Sequence, residues 1–198
     1  MSTTTPTQSL VLSPLASPAL YRMTVDEFDR VADFLTSDHV ELIDGYIVWR
    51  EDMKPSHVLV TERLKRRIET LLPSGWFVRE DKPVRIPDHD EPRPDVAVVR
   101  GDPELYAARH PGPSDVALLI EVSDSSLSRD RAEKMIIYAR SGIPNYWIAN
   151  LIDRQIEIYA DPQLSGYASR LDLKVGETAP VSIDGIQVGT IAVADLLR

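Results

Sequence analysis

Glu41, Asp95, Glu121 and Lys134 are the residues of this chain whose types and settings could do chemistry together. Asp95 follows Arg93-Pro94 and opens the apolar run Val96 to Val99, while Glu121 comes late in the apolar run Val116 to Val122. Side chains alternate along a strand, so a charge inside such a run either faces water or is held in a polar pocket among buried neighbours. Both acids are expected on strands. Two carboxylates from adjacent strands, with a backbone carbonyl such as that of Val122 beside them, make an oxygen-rich site suited to Mg²⁺, or to Mn²⁺ in its place. An ion of this kind polarises a phosphorus centre and stabilises a leaving oxygen. A lysine beside it orients water and offsets charge on a pentacovalent transition state. Aspartate, glutamate and lysine therefore suffice to hydrolyse a phosphodiester. The same residues also admit a purely structural reading, in which Asp95 and Glu121 cap turns at strand ends or pair with arginines such as Arg93.

The elements that must position these groups are set by patterning. Thr24 and Glu27 have capping-box spacing, and Phe28, Val31, Ala32 and Leu35 recur at helical intervals, which predicts a helix over 24–35 whose apolar stripe covers a sheet. VELIDGYIVW reads as a hairpin around Asp44-Gly45, a pair that tolerates positive φ at both central positions. In that register Glu41 lies opposite Val48 and shares a face with Ile43, as a third pocket carboxylate or as an edge-strand acid facing water. A long helix starts at Ser56, with Val60, Leu64, Ile68 and Leu71 on one stripe and a stop at Pro73-Ser74-Gly75. His57 falls on that stripe near the helix start, where it could assist an anion or serve as a hydrogen-bonded structural residue.

Strand pieces are expected at 76–78 and 84–86, a long excursion at 101–115, and a central strand buried on both faces at 116–122. A helix over 129–141 ends at Gly142, with Ala132, Met135, Ile136 and Ala139 as its apolar face. Lys134 lies on the opposite side with Ile137 and Tyr138, so that side is not plainly a solvent face. Strands at 146–149 and 155–159 and a second Asp-Gly turn at Asp184-Gly185 complete the pattern.

At 198 residues and 43% hydrophobic content the chain can bury one substantial core. The expected organisation is a flexible Ser/Thr/Pro-rich arm over 1–20 followed by a single domain over 21–198. There is no cysteine, which excludes thiolate metal sites and a cysteine nucleophile, and with no secretory signal the expected location is the cytoplasm. No segment is apolar and long enough to span a membrane. A formal net charge of -9 counts against broad binding to a phosphate backbone. Any nucleic-acid surface must be local, on Arg63, Lys65, Arg66 and Arg67 or on Arg129, Arg131 and Lys134, unless these are simply solvated helix faces.

The residues VELIDGYIV, the histidine of PSHVLV, RPDVAVV, LLIEVSDSS and the Lys134-x-x-x-Tyr138 to GIPNYWI run occur in an order that resembles the Uma-two family of restriction-endonuclease-like proteins, in the PD-(D/E)XK nuclease superfamily. They span roughly residues 23 to 160. The resemblance implies an α/β fold with a restriction-endonuclease-like core, a central mixed sheet flanked by helices. It implies a metal-dependent endonuclease acting on nucleic acid, DNA more than RNA, with Asp95 and Glu121 as the motif acids, Glu41 as the additional N-terminal acid and His57 accompanying them. At Ser123 the chain departs from the superfamily pattern, which has lysine there; Lys134 on the following helix takes its place. The alternative is a catalytically silent nucleic-acid-binding module, or a homodimeric assembly module pairing through the arm, that keeps the fold.

Overall fold

The protein is described by a computed structural model covering residues 20–32, 34–35 and 39–197. Its centre is a six-stranded mixed sheet in the order β3-β4-β5-β6-β7-β8. The strands are β3 (Trp76–Glu80), β4 (Val96–Arg100), β5 (Val116–Ser123), β6 (Asn145–Asn150), β7 (Gln155–Gln163) and β8 (Gly166–Lys174). The β5–β6 pair is parallel and the others are antiparallel. β5 is buried along its whole length, as a continuous apolar run in a central strand requires.

Alternation along these strands sorts the core into two layers. On one face, α2 (Pro55–Glu69) lays Val60, Leu64 and Ile68 against Val98, Leu118, Ile120 and Val122. A terminal hairpin of β9 (Thr178–Ile183) and β10 (Ile186–Ala192) and a short α5 (Val193–Leu196) close that side. On the other face, Ala97, Val99, Leu119 and Ile148 pack with Ile137, Tyr138 and Ile143. Each aliphatic side chain buried this completely contributes about 1.5–3 kcal/mol.

The expected first helix forms as α1 (Val25–Ala32), with the capping box in place: the Glu27 amide donates to Thr24 Oγ1 at 3.3 Å and the Thr24 amide to Glu27 Oε2 at 2.8 Å. Its stripe covers the hairpin of β1 (Val40–Ile43) and β2 (Tyr46–Trp49), meeting Val40 and Leu42, and not the central sheet. The hairpin turns at Asp44 (φ 49°) and Gly45 (φ 81°), and Glu41 pairs with Val48 as the pattern requires. A β-carbon at Gly45 would stand 2.7 Å from that of Arg22, so close approach as well as φ demands glycine.

Two expectations are corrected. Residues 84–86 form no strand: Val84 and Ile86 are buried, but Ile86 makes only an isolated bridge to Asp90, because residues 87–90 fold back at once. The helix expected over 129–141 is three pieces, α3 (Leu127–Arg129), a π-helical turn (Asp130–Lys134) and α4 (Met135–Arg140). The side that carries Lys134, Ile137 and Tyr138 faces inward, while Ala132 and Ile136 are exposed. Among the described residues no helix is long and apolar enough to cross a membrane. The arm, and any pairing of subunits through it, lies outside the described residues except for Leu20.

Candidate active site

Asp95 lies one residue before β4, not within it, and Glu121 lies near the end of β5. Because Val96 pairs with Ile120 in the antiparallel ladder, the two acids come together at the same end of the sheet. The strand parity of Asp95 is that of Ala97 and Val99, and that of Glu121 is Leu119, so both side chains belong to the α4 side of the sheet. The hairpin adds Glu41 from above, on the face it shares with Ile43. The inward-facing side of the π turn adds Lys134, and α4 adds Tyr138. All four charged groups are buried: Glu41 is 2%, Asp95 3%, Glu121 4% and Lys134 5% exposed. Glu41 is therefore a pocket acid and not an edge-strand acid facing water.

The Lys134 ammonium bridges two carboxylates, with Nζ 3.1 Å from Glu41 Oε2 and 3.1 Å from Glu121 Oε1. Tyr138 donates to the same Glu121 Oε1 at 2.7 Å. Asp95 Oδ2 accepts the Val122 amide at 2.7 Å, which ties the entry of β4 to β5. His57 Nε2 stands 3.0 Å from Asp95 Oδ1 but is not aligned to hydrogen-bond it, which leaves a buried ring nitrogen without a partner. Glu41, His57, Asp95, Glu121 and Lys134, with Tyr138 behind them, line a cavity of about 390 Å³ with a solvent-facing mouth, rimmed by Glu51, Lys54, Asp124 and Arg129.

Electrostatics follow from burial. Removal from water pushes the Glu121 carboxyl well above the usual carboxylate range; Lys134 pulls it back, while Asp95, Asp130 and Glu41 add to the rise. Burial alone would lower Lys134, but Glu121 and Glu41 outweigh it and hold the amine above the ordinary lysine range. The lysine is thus a fixed cation and a hydrogen-bond donor.

Among the described residues no three His, Asp or Glu side chains are arranged to enclose a metal ion. A Mg²⁺ site does not need such a cage, since the ion retains waters and takes one or two carboxylates plus substrate oxygens. The donors present fit that pattern: Glu121 Oε1 is engaged by Lys134 and Tyr138 and Asp95 Oδ2 by a backbone amide, which leaves Glu121 Oε2 and Asp95 Oδ1 with no hydrogen bond, in the cavity that Val122 also lines.

Two features escaped the sequence. Arg50, directly after β2, turns inward to line the cavity, with Nη1 on Asp81 and Nη2 3.7 Å from Asp95 Oδ1. Asp130 is buried and accepts from Ser123 Oγ at 2.6 Å and Ser126 Oγ at 2.7 Å. Neither stands in an apolar pattern that would mark it. Arg93, expected as a partner of Asp95 or Glu121 in the structural reading, instead gives its amide to Glu41 Oε2 at 3.2 Å and its guanidinium to the Asp81 carbonyl at 3.1 Å. Most cations of the two basic runs also contact the domain itself. Lys65 pairs with Glu80, Arg67 with Asp195 and Arg131 with Glu157, Arg63 donates to the Leu196 carbonyl, and Lys134 is inside the site.

Comparison with known proteins agrees with this architecture. The family model Uma2, described as "Putative restriction endonuclease", matches residues 25–189. Among solved structures the chain is similar to a "putative nuclease belonging to DUF820" from Anabaena variabilis ATCC 29413, with a TM-score of 0.67 and 16% identity over 88% of this chain and 97% of that one. Among curated proteins none matches. The matched span takes in every residue of the buried acid, acid and lysine cluster, and on that match the chain belongs to the Uma2 family of restriction-endonuclease-like proteins.

Proposed function

We propose that this protein is a divalent-metal-dependent nuclease that hydrolyses phosphodiester bonds in DNA. The observation that carries the reading is the convergence of Asp95, Glu121, Glu41 and Lys134, from four separate elements, on one solvent-open cavity. The family's description as restriction endonucleases supports DNA as the substrate.

Asp95, Glu121 and the Val122 carbonyl are the groups that would hold Mg²⁺ or Mn²⁺. When bound, such an ion supplies Lewis-acid polarisation of the phosphoryl group. Hydrolysis forms a bond from a water oxygen to phosphorus, breaks the bond from phosphorus to the leaving oxygen, and transfers a proton from the water to solvent and another to the departing alkoxide. Lys134, held protonated by its two carboxylates, is suited to donating a hydrogen bond to the attacking water or a phosphoryl oxygen and unsuited to accepting the proton. Glu41 fixes the ammonium from the side opposite Glu121, and Tyr138 fixes the Glu121 carboxylate.

A second reading, a silent module on the same fold, is favoured by Ser123 at the lysine position of the superfamily motif, with its hydroxyl given to Asp130. Metal binding separates the two. Thermal melts of the wild type and Glu121→Ala across Mg²⁺ and Mn²⁺ titrations, with DNA and RNA cleavage assays beside them, are the test. Metal at about 100 times its Kd stabilises a binding-competent protein by about 2.7 kcal/mol. The expected result is a rise in the wild type's Tm that Glu121→Ala lacks, with metal-dependent cleavage of DNA. Cleavage absent from the wild type under every metal condition would establish the silent module.

A further inference from the structure

On the reading of the site as a phosphodiesterase centre, we infer that Arg50 is a second cationic catalytic residue, which donates from its guanidinium to a non-bridging oxygen of the scissile phosphate. An arginine at the end of a hairpin strand would by default extend into water, as the exposed residues 51–54 just after it do. Here its side chain is only 14% exposed and is directed to the cavity. Its backbone is pinned, with the Arg50 amide donating to the His39 carbonyl at 2.9 Å.

A dedicated support holds the guanidinium. Asp81 engages Nη1, and Asp81 is itself fixed from two sides. Its amide donates to the Asp95 carbonyl at 3.1 Å, and Arg93 donates to its carbonyl at 3.1 Å while placing Nε 3.7 Å from its Oδ1. Asp81 holds φ at 48°, in the left-handed region, to meet these partners. With one edge of the fork anchored, Nη2 points at Asp95 Oδ1 from 3.7 Å, too far for a hydrogen bond. The donors on that edge are therefore open to an oxyanion placed beside Asp95.

Charge balance requires such a donor. Lys134 already meets Glu41 and Glu121, and one ammonium has three hydrogens. A divalent ion bound beside Asp95 and Glu121 would be taken up, as Lys134 is, by the buried carboxylates of the site. The negative charge of the substrate phosphate, which increases on its non-bridging oxygens at the transition state, then needs a further cation, and Arg50 stands where that cation must act. A guanidinium presents paired donors to phosphate where an ammonium presents a point charge, so lysine at this position keeps the charge without the geometry.

The test uses the full chain with Mn²⁺ and two probes, bis(4-nitrophenyl) phosphate and a fluorescently end-labelled DNA. Arg50→Ala and Arg50→Lys should each lower kcat about 100-fold on both probes, the scale seen on removing one donor to a developing oxyanion, while retaining the wild type's melting shift with Mn²⁺. Added guanidinium should restore activity to Arg50→Ala at least tenfold, which a merely structural role would not do. Wild-type kcat in both variants overturns the assignment and leaves the nuclease reading standing. Loss of the Mn²⁺ shift in Arg50→Ala without guanidinium rescue also overturns it, in favour of a role in shaping the metal site. A wild type inert on both probes removes the nuclease reading and this inference with it.

Discussion

Replacing Lys134 by methionine tests the electrostatic account of the site most directly, because methionine keeps much of the side-chain volume and removes only the charge. Each ammonium–carboxylate contact at 3.1 Å has an attraction of about 5 kcal/mol at an effective dielectric near 20, and desolvation of the three buried groups offsets most of it. Removing one member leaves the others uncompensated, and for buried pairs that costs about 3–5 kcal/mol. In a domain of this size each kcal/mol moves Tm by about 2–4 °C, so a fall of about 10 °C is expected at pH 8. The pH dependence carries the sign. Burial already raises the Glu121 carboxyl above its ordinary value, and loss of the opposing Lys134 raises it further. A group whose folded pKa is raised contributes stability that is intact below its unfolded pKa and is lost as pH rises through the folded value. Both proteins lose that stability alike until pH passes the wild-type Glu121 value, and above it only the variant goes on losing, so the gap between wild type and Lys134→Met should widen on the alkaline side of that value and never narrow as pH rises. Melts at half-unit intervals of pH, with far-ultraviolet circular dichroism to confirm the fold, measure it. A gap that narrows as pH rises, or a Tm loss under about 2 °C at pH 8, would refute the buried ion triad.

Tyr138→Phe removes the 2.7 Å hydrogen bond to Glu121 Oε1 with little change in packing; a loss of about 2 kcal/mol, read as a Tm fall of 4–8 °C, is expected, and an unchanged Tm would show that Glu121 does not depend on it. Glu157 is a second buried carboxylate, placed on β7 behind the π turn: burial works to raise it, but hydrogen bonds from Arg131, Asn150, Tyr159 and Gln155 win and hold it at about 2. A carboxyl lowered from 4.5 to about 2 contributes about 3 kcal/mol of stability above pH 4.5, lost as pH falls towards 2. Urea melts of Glu157→Gln should fall short of wild type by about that amount at pH 6 and converge with it near pH 2.5; parallel curves across that range would contradict the assignment.

The parts of the site that sequence revealed are those whose neighbours are patterned. Asp95 and Glu121 interrupt or border apolar runs, Glu41 sits in a hairpin whose Asp-Gly turn fixes its register, and His57 shares a helical stripe with Val60 and Leu64, so burial of each follows from its neighbours. Arg50 had no such context. It lies in a polar stretch after a strand, and only the fold brings it to Asp81, across 31 residues of chain. The apolar face of the 127–140 helix was misassigned for a related reason. A constant period of 3.6 residues groups Lys134, Ile137 and Tyr138 on one side and Ala132 and Ile136 on the other, but which side is buried depends on the distant carboxylates that Lys134 meets. Long-range partners and local changes of helical period leave no trace in a windowed hydrophobic pattern.

The anchoring of this turn also explains how a lysine on a helix reaches the acids of the sheet. Ser123 follows Glu121 by two residues on β5, so its side chain is on the same face. Its hydroxyl is not idle: with Ser126 it holds the Asp130 carboxylate, and Asp130 opens the π turn that ends at Lys134. From the far side, Glu157 holds Arg131 in the same turn at 2.5 Å. The turn is thus fastened to β5 at its first residue and to β7 at its second, with Lys134 facing Glu121 and Glu41 from above. The serine at 123 is therefore part of the device that holds the ammonium of Lys134 at the buried carboxylates.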